Sequence, residues 1–516
     1  MTYVHLKNKK TGITYVYEST SYYDKEKKQS RPKRKLIGKL DPETGEIVPT
    51  TPRNAPKKKA NTDTSTHMFR QKHYGARLLF QQIATKLQLF KGLETVFGDR
   101  GRDIFELACY LISAPNHSMM YYSDWAESNY TYRKPLSSQA ISRLFQSITH
   151  DEVQRFFNWM VKTHGEKEYW AYDTTSISSY SEKLKDIQYG YNKEDDRLAQ
   201  LNLGLLYGQK TRLPFAYREL PGNIPDVKTV NWLLDELEDI DATKVSVVMD
   251  RGFNSTKNIQ ALLESGQGFI MGAKTSASYI KALIDSHAHQ PHSVMNYYPA
   301  QCVYAYQHTV SDVFKASETS YYPVTVHLYY DEEKALSQNE KMNIRLLQVL
   351  EDWQKNQVKE RDKTFKKCYF EVENGEKMID EVAVNHQRQR FGWFALVTNQ
   401  KVTSVEALNI YRNKDLIEKA FNDIKDRLNM RRVQVSSESS LRGKLFTQYM
   451  ALIVLSYIKK QMDVNQMYQE YTLHGLLMKL ELIYCFINDK NERSIGEVTA
   501  KQEDIYRLMD VEKPRS

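Results

Sequence analysis

Cysteine is scarce and scattered in this chain. The four copies, Cys109, Cys302, Cys368 and Cys485, lie far apart and form no Cys-x2-Cys pair. That argues against a zinc ribbon and against a disulfide-stapled scaffold. Long apolar runs are missing too. No apolar segment follows the opening MTYVHLKNKK, so a signal peptide is not expected. The run ALIVLSYI at 451–458 is too short to span a membrane. No internal repeat or long low-complexity tract occurs, which argues against a solenoid. A cytoplasmic, reducing location is the expectation.

What is present is the composition of an ordered protein: 516 residues, 41% hydrophobic and 27% charged. That length suits two to four domains. Tyrosine, with 35 copies, fits cores and wet interfaces alike and decides nothing alone. The net charge of +9 is concentrated at the start: residues 1–60 hold 15 Lys/Arg against 6 Asp/Glu, which is also +9. RPKRK places Arg31, Lys33, Arg34 and Lys35 together, and Lys57, Lys58 and Lys59 follow. A nucleic-acid partner would explain these clusters; a merely soluble basic N-terminus is the equal alternative.

The pattern along the chain gives an order of elements. Residues 3–24 read as a hairpin around KTG, 36–50 as a second around DPETG, and 51–66 as a linker. Segment 1–66 is thus a basic, hairpin-rich unit, and 67–165 a mostly helical region in which 74–97 is one helical run. EYWAYDTTSISSYS (168–181), LNLGLLYG (201–208) and LPFAYREL (213–220) read as strands, the last two as a hairpin. Helix, strand, helix and strand follow at 226–240, 244–250, 255–266 and 267–274. Residues 275–392 break the rhythm and read as a β-rich insertion with a helix at 343–362. GWFALVTN returns as a strand at 392–399. An amphipathic helix covers 411–428, and 445–462 is apolar nearly all round. The expected domains are therefore 166–274 and 393–462 as two parts of one α/β domain, interrupted by 275–392, with 463–516 as a C-terminal helical region.

Three carboxylates invite chemistry. Asp173 sits in a core strand, where an unpaired carboxylate is costly. Asp250 ends the apolar strand KVSVVMD, and strand ends are where sites are built. Capping of the next turn or helix is the alternative reading for each. On the 411–428 helix, Ile417, Phe421, Ile424 and Leu428 form the buried stripe, while Tyr411, Lys414, Glu418 and Lys425 stack on an adjoining face. By itself that face is an ordinary solvated stripe with one Lys–Glu pair. Taken together, two Asp and one Glu without His or Cys suit Mg²⁺ or Mn²⁺. Two such ions about 4 Å apart handle phosphodiester substitution.

With these residues in view, the sequence resembles bacterial insertion-sequence transposases of the DDE type, whose catalytic domain is ribonuclease-H-like. The likeness is to the branch carrying Tyr-x2-Arg-x3-Glu-x6-Lys, which falls here on Tyr411, Lys414, Glu418 and Lys425 with the spacing intact. YDTTS around Asp173 and VVMDRGFNS around Asp250 resemble the first and second Asp motifs, and LRGKLFTQYMALIVLSYI resembles the helix after the catalytic glutamate. Lys414 stands where the motif has arginine; lysine meets a phosphate without the bidentate fork.

The resemblance implies a mixed-sheet, ribonuclease-H-like core with flanking helices, interrupted by the β-rich insertion. Asp173, Asp250 and Glu418 would be catalytic and hold two Mg²⁺ (or Mn²⁺) ions. Tyr411, Arg412, Lys414, Lys425 and Arg251 would contact DNA, with Arg31, Lys33, Arg34 and Lys35 of the basic cluster. Partners would be double-stranded DNA, as terminal inverted repeats and target, and a second copy in a homodimer. The activity would be cut-and-paste transposition, through a hairpin in relatives with this insertion, on DNA of the bacterial nucleoid. A nuclease that cuts without joining, an inactive DNA-binding relative, and a tyrosine-rich structural protein with a basic tail are the rival readings.

Overall fold

Alternating short strands at the N-terminus and near-continuous apolar strands further on call for two kinds of sheet, one exposed and one buried. Both occur in the computed structural model, which describes residues 2–25, 27–50, 70–181, 183–191, 197–242, 245–288, 292–373 and 376–515. The chain divides into two units, Met1–Met68 and Phe69–Ser516.

The first unit is an antiparallel meander of β1 (Thr2–Lys7), β2 (Thr14–Asp24), β3 (Gln29–Leu40) and β4 (Ile47–Pro49), in that order. RPKRK does not lie between two hairpins; it is inside β3, paired along β2 with Tyr22 opposite Arg31 and Glu18 opposite Lys35. The two-residue period puts Arg31, Lys33 and Lys35 on one face and Arg34 on the other. All four are exposed. The expected linker, with Lys57, Lys58 and Lys59, lies outside the described residues.

The second unit begins with β5 (Arg70–His73) and a set of helices. The run expected as one helix over 74–97 is two, Gly75–Lys86 and Leu89–Phe97, because Gln88 takes a left-handed conformation (φ 53°). Arg100–Ser113, Ser138–Ser147 and His150–His164 follow. They pack with the long helix Glu438–Val464, which is buried throughout 445–458, as its all-round apolar pattern requires.

The main sheet is mixed and ten-stranded, with helices flanking it. β6 (Tyr169–Ser179), β7 (Gln200–Gly208) and β8 (Pro214–Pro221) form an antiparallel meander. β9 (Ser246–Met249) and β10 (Gly268–Ala273) each follow a helix, Val230–Asp239 and Thr256–Glu264, and run parallel to β6. β11 (Tyr297–Tyr298), β12 (Val303–Lys315) and β13 (Tyr321–Tyr330) belong to the segment read as an insertion. Yet they continue the same sheet, through β16 (Trp393–Thr398), which pairs with both β13 and β10. A separate hairpin, β14 (Phe370–Glu373) with β15 (Glu376–Ile379), and the helix Glu332–Gln354 complete this segment. That helix starts earlier than the 343–362 expected, because Asp331 caps it by accepting from the Lys334 amide. β17 (Arg432–Val433) adds to the far end of β6. At the C-terminus, β18 (Tyr484–Ile487) and β19 (Arg493–Ile495) join β5 in a small sheet, beside the helices Leu473–Glu481 and Ala500–Leu508. Among the described residues no helix is long and apolar enough to cross a membrane.

Candidate active site

Strand register brings the two aspartates together. β6 and β9 are parallel, with Tyr172 opposite Met249 as their last pair. Asp173 and Asp250 are the next residues on each strand, so they lie side by side where the strands part. Such a carboxyl end of parallel strands leaves side chains rooted in a rigid core but open to one side. Asp173 Oδ1 accepts from the Thr174 amide at 2.8 Å. Asp250 caps the short turn Arg251–Phe253, Oδ1 accepting from the Arg251 amide at 2.7 Å. The capping alternative is therefore real for Asp250, and it leaves the second carboxylate oxygen available.

The amphipathic segment at 411–428 is not one helix. A capping box of Thr403 and Glu406 starts the helix Ser404–Arg412, which ends at Asn413. A new helix, Asp415–Asn422, starts after Lys414 and passes into a π-helical turn at Asp423–Arg427. The expected stripe holds: Ile417, Phe421, Ile424 and Leu428 are all buried. The break, however, places Glu418 in the first turn of its own helix, where unpaired backbone N–H groups favour a carboxylate. It also separates Tyr411 from Lys414, and each reaches the aspartates by its own route.

Tyr411 donates its hydroxyl proton to Asp250 Oδ1 at 2.6 Å. The route passes over Gly272 of β10; a Cβ there would stand 2.7 Å from the Tyr411 hydroxyl. Lys414 Nζ donates to Glu418 at 2.6 Å and lies 3.9 Å from Asp250 Oδ2. Burial works against the Lys414 ammonium, but the Glu418 hydrogen bond and the charges of Asp250, Glu418 and Asp173 outweigh it and raise its pKa. Burial likewise works against an ionised Asp250, yet Tyr411, then Lys414 and the Arg251 backbone, hold its pKa below the usual carboxylate value. Burial, then the Asp250 charge, pushes the Tyr411 phenol well above its usual value. One ammonium thus joins the three acids electrostatically, although 76 and 167 residues lie between them in sequence.

The donor set suits a hard divalent cation: carboxylate oxygens only. Among the described residues, no group of three or more His, Cys, Asp or Glu side chains could hold a metal ion as it stands. In this conformation the Lys414 ammonium is the cation between Asp250 and Glu418.

The expected DNA contacts are distributed unevenly. Arg251 and Arg412 are exposed and line a cleft of about 720 Å³ that opens beside Asp250 and Tyr411. Lys414 is turned to the acids. Lys425 is buried in the π-helical turn. Arg31, Lys33, Arg34 and Lys35 belong to the N-terminal unit. The sequence reading missed Lys281, Lys334 and Arg390, which line the same cleft with Trp393 and Phe394. Their segment carries no motif: Lys281 comes to the cleft a few residues after β10, and the pairing of β13 with β16 brings Lys334 and Arg390 there. It also missed Asp226, whose Oδ1 accepts the Thr174 hydroxyl next to Asp173; nothing in its local sequence marks it beyond the start of a helical turn.

This geometry can be set beside known proteins. The family model described as transposase DDE domain matches residues 161–454, more than half of the chain. The chain belongs to this DDE transposase family. The matched span contains all three acids, the cleft and most of the buried helix that follows Glu418. No curated protein matches the chain significantly. Among solved structures, a cryo-EM structure of the piggyBac transposase synaptic complex with hairpin DNA is similar at a TM-score of 0.40 and 9% identity, over 80% of this chain and 82% of that chain.

Proposed function

We propose that the protein is a DNA transposase that cuts and rejoins the ends of a mobile element, with Asp173, Asp250 and Glu418 as its catalytic acids. The observation that carries this reading is the ion pairing of Asp250 and Glu418 with Lys414, at the parting of β6 and β9 where Asp173 is the neighbour of Asp250. The strand order β8-β7-β6-β9-β10, an antiparallel meander followed by two parallel strands, supports a ribonuclease-H-like core. The intact spacing of Tyr411, Lys414, Glu418 and Lys425 supports membership in the Tyr-x2-Arg-x3-Glu-x6-Lys branch.

Asp173, Asp250 and Glu418 would hold two Mg²⁺ or Mn²⁺ ions, whose chemistry is to activate the attacking oxygen and stabilise the leaving one. Tyr411 keeps Asp250 ionised and fixes its rotamer. Lys414 neutralises Asp250 and Glu418 in the resting protein and swings to a phosphate oxygen when substrate enters. Arg251, Arg412, Lys281, Lys334 and Arg390 offer their charges to the strand in the cleft. The exposed basic row of β3 adds sequence-independent attraction to duplex DNA. Two copies, one at each element end, form the working unit.

The test uses the full chain, a donor duplex made from DNA flanking its coding sequence, and a target plasmid. Wild type is expected to cut the donor in Mg²⁺ and to join its 3′-OH to the plasmid. Asp173→Asn, Asp250→Asn and Glu418→Gln should each lose at least about 10²-fold of both steps while still binding duplex. Cleavage that survives in a variant removes that residue from the mechanism. Cutting without joining selects the nuclease reading, and binding without cutting in either Mg²⁺ or Mn²⁺ selects the inactive relative.

A further inference from the structure

A second charged site lies away from the acids, among the helices. Lys444 sits in the helix Glu438–Val464 and is only 5% exposed. Its burial follows from the preceding residue: a Cβ at Gly443 would overlap the backbone of Phe145, so glycine lets this helix close onto Ser138–Ser147. Among the described residues Lys444 has no hydrogen bond and no ion pair. A buried ammonium without a partner is unfavourable, and such groups ordinarily become neutral or find a counter-charge. Burial alone pushes its pKa down to about 8.

Lys444 lines a cavity of about 320 Å³ with Ser138, Ser142, Gln434, Ser436 and Ser440 among its walls. Ser138, Ser142, Gln434 and Ser436 are exposed at the mouth. The lining holds no other ionisable side chain, so nothing negative competes for the lysine.

We infer that this cavity binds a phosphate group, with the Lys444 ammonium as its counter-charge and the serine hydroxyls and Gln434 amide as hydrogen-bond donors. The phosphate belongs either to a nucleic-acid backbone or to a free phosphate ion. The backbone source rests on the reading of the protein as a DNA transposase; the free ion does not.

Two measurements on the full chain test it. In the first, thermal melting is followed as inorganic phosphate is titrated at constant ionic strength. Wild type should rise in Tm with phosphate, since a ligand that binds only the folded state stabilises it. Lys444→Met should start from a higher Tm without phosphate, because a buried unpaired charge is gone, and should show no phosphate-dependent rise. Ser142→Glu, at the exposed mouth, should do the same by supplying the counter-charge internally. In the second, duplex binding is measured against salt. If the phosphate is part of DNA, Lys444→Met should flatten the log–log slope by about 1.

A phosphate response lost in both variants with an unchanged duplex slope assigns the site to free phosphate. A flattened slope assigns it to DNA. A phosphate response equal in wild type and Lys444→Met overturns the inference, as does no response at all with an unchanged slope. Neither measurement requires strand cleavage, so failure of the acidic-site reading would leave this result distinct.

Discussion

The helical region and the acidic site treat their charges in opposite ways. Between the helices Gly75–Lys86 and Arg100–Ser113, Arg77 and Glu106 are both about 3% exposed and share a 2.7 Å ion pair. Glu106 also accepts the Tyr132 amide, and the Arg77 guanidinium lies over the Phe105 and Tyr132 rings. That pair is shut off from solvent, with Arg77 Nη1 the one guanidinium nitrogen left without a partner among the described residues. At the site, Asp250 and Glu418 keep about half of their side-chain surface open, at 46% and 51%, and share one lysine. The first arrangement fixes a fold. The second leaves carboxylates oriented and reachable. The interior of the sheet extends the first case: His327 on β13 is fully buried, with Nδ1 against the Ser404 hydroxyl at 3.0 Å and Nε2 without a partner among the described residues. Burial holds its pKa down at about 4.

The contrast can be broken from its closed side first. Glu106→Gln should leave Arg77 buried without its counter-charge and cost about 3–5 kcal/mol. Urea denaturation would measure it, and a loss no larger than that of a surface substitution would show that the pair is not closed. Next comes His327. Its folded pKa is lower than the ordinary histidine value, so the unfolded chain binds the extra proton more readily between roughly pH 6.5 and 4. Stability should be full above that window and fall by roughly 3 kcal/mol as pH drops through it. His327→Gln should flatten that part of the stability–pH curve, whatever it does to the absolute stability.

The smallest effect belongs to the open side. Tyr411→Phe removes the donor that helps keep Asp250 ionised. The Asp250 pKa should rise toward the usual carboxylate value, so the acid limb of the cleavage–pH profile moves to higher pH. A hydrogen bond to a charged group contributes about 1.5–3 kcal/mol, so cleavage should fall roughly 10-fold or more while the Tm changes little. An unmoved acid limb would mean that Tyr411 only packs.

Much of this was readable in the chain. The strands around Asp173 and Asp250, the β7–β8 hairpin, the buried stripe of Ile417, Phe421, Ile424 and Leu428, and the buried 445–458 stretch all follow from apolar periodicity, because a core face must repeat with its element. The break at Asn413–Lys414 was not readable, since both sides keep a helical period and only backbone geometry separates them. Nor was the fate of 275–392. Its strands alternate like those of a separate β unit, but β13 hydrogen-bonds to β16 and so lengthens the central sheet. Pairing partners far apart in sequence leave no local mark.

By itself the sequence determined which residues are acids, which faces are buried and which family spacing the chain carries, because these depend on residue type and short-range period. Tertiary structure alone decided that Asp173 and Asp250 are neighbours, since that needs the β6–β9 register. It also decided that Lys414 faces Asp250 and Glu418 while Lys425 is buried, and that Lys444 lies unpaired beneath a serine-lined mouth. The charge of a lysine is fixed by its covalent structure; what that charge can do is set by the groups the fold brings within a few ångströms of it.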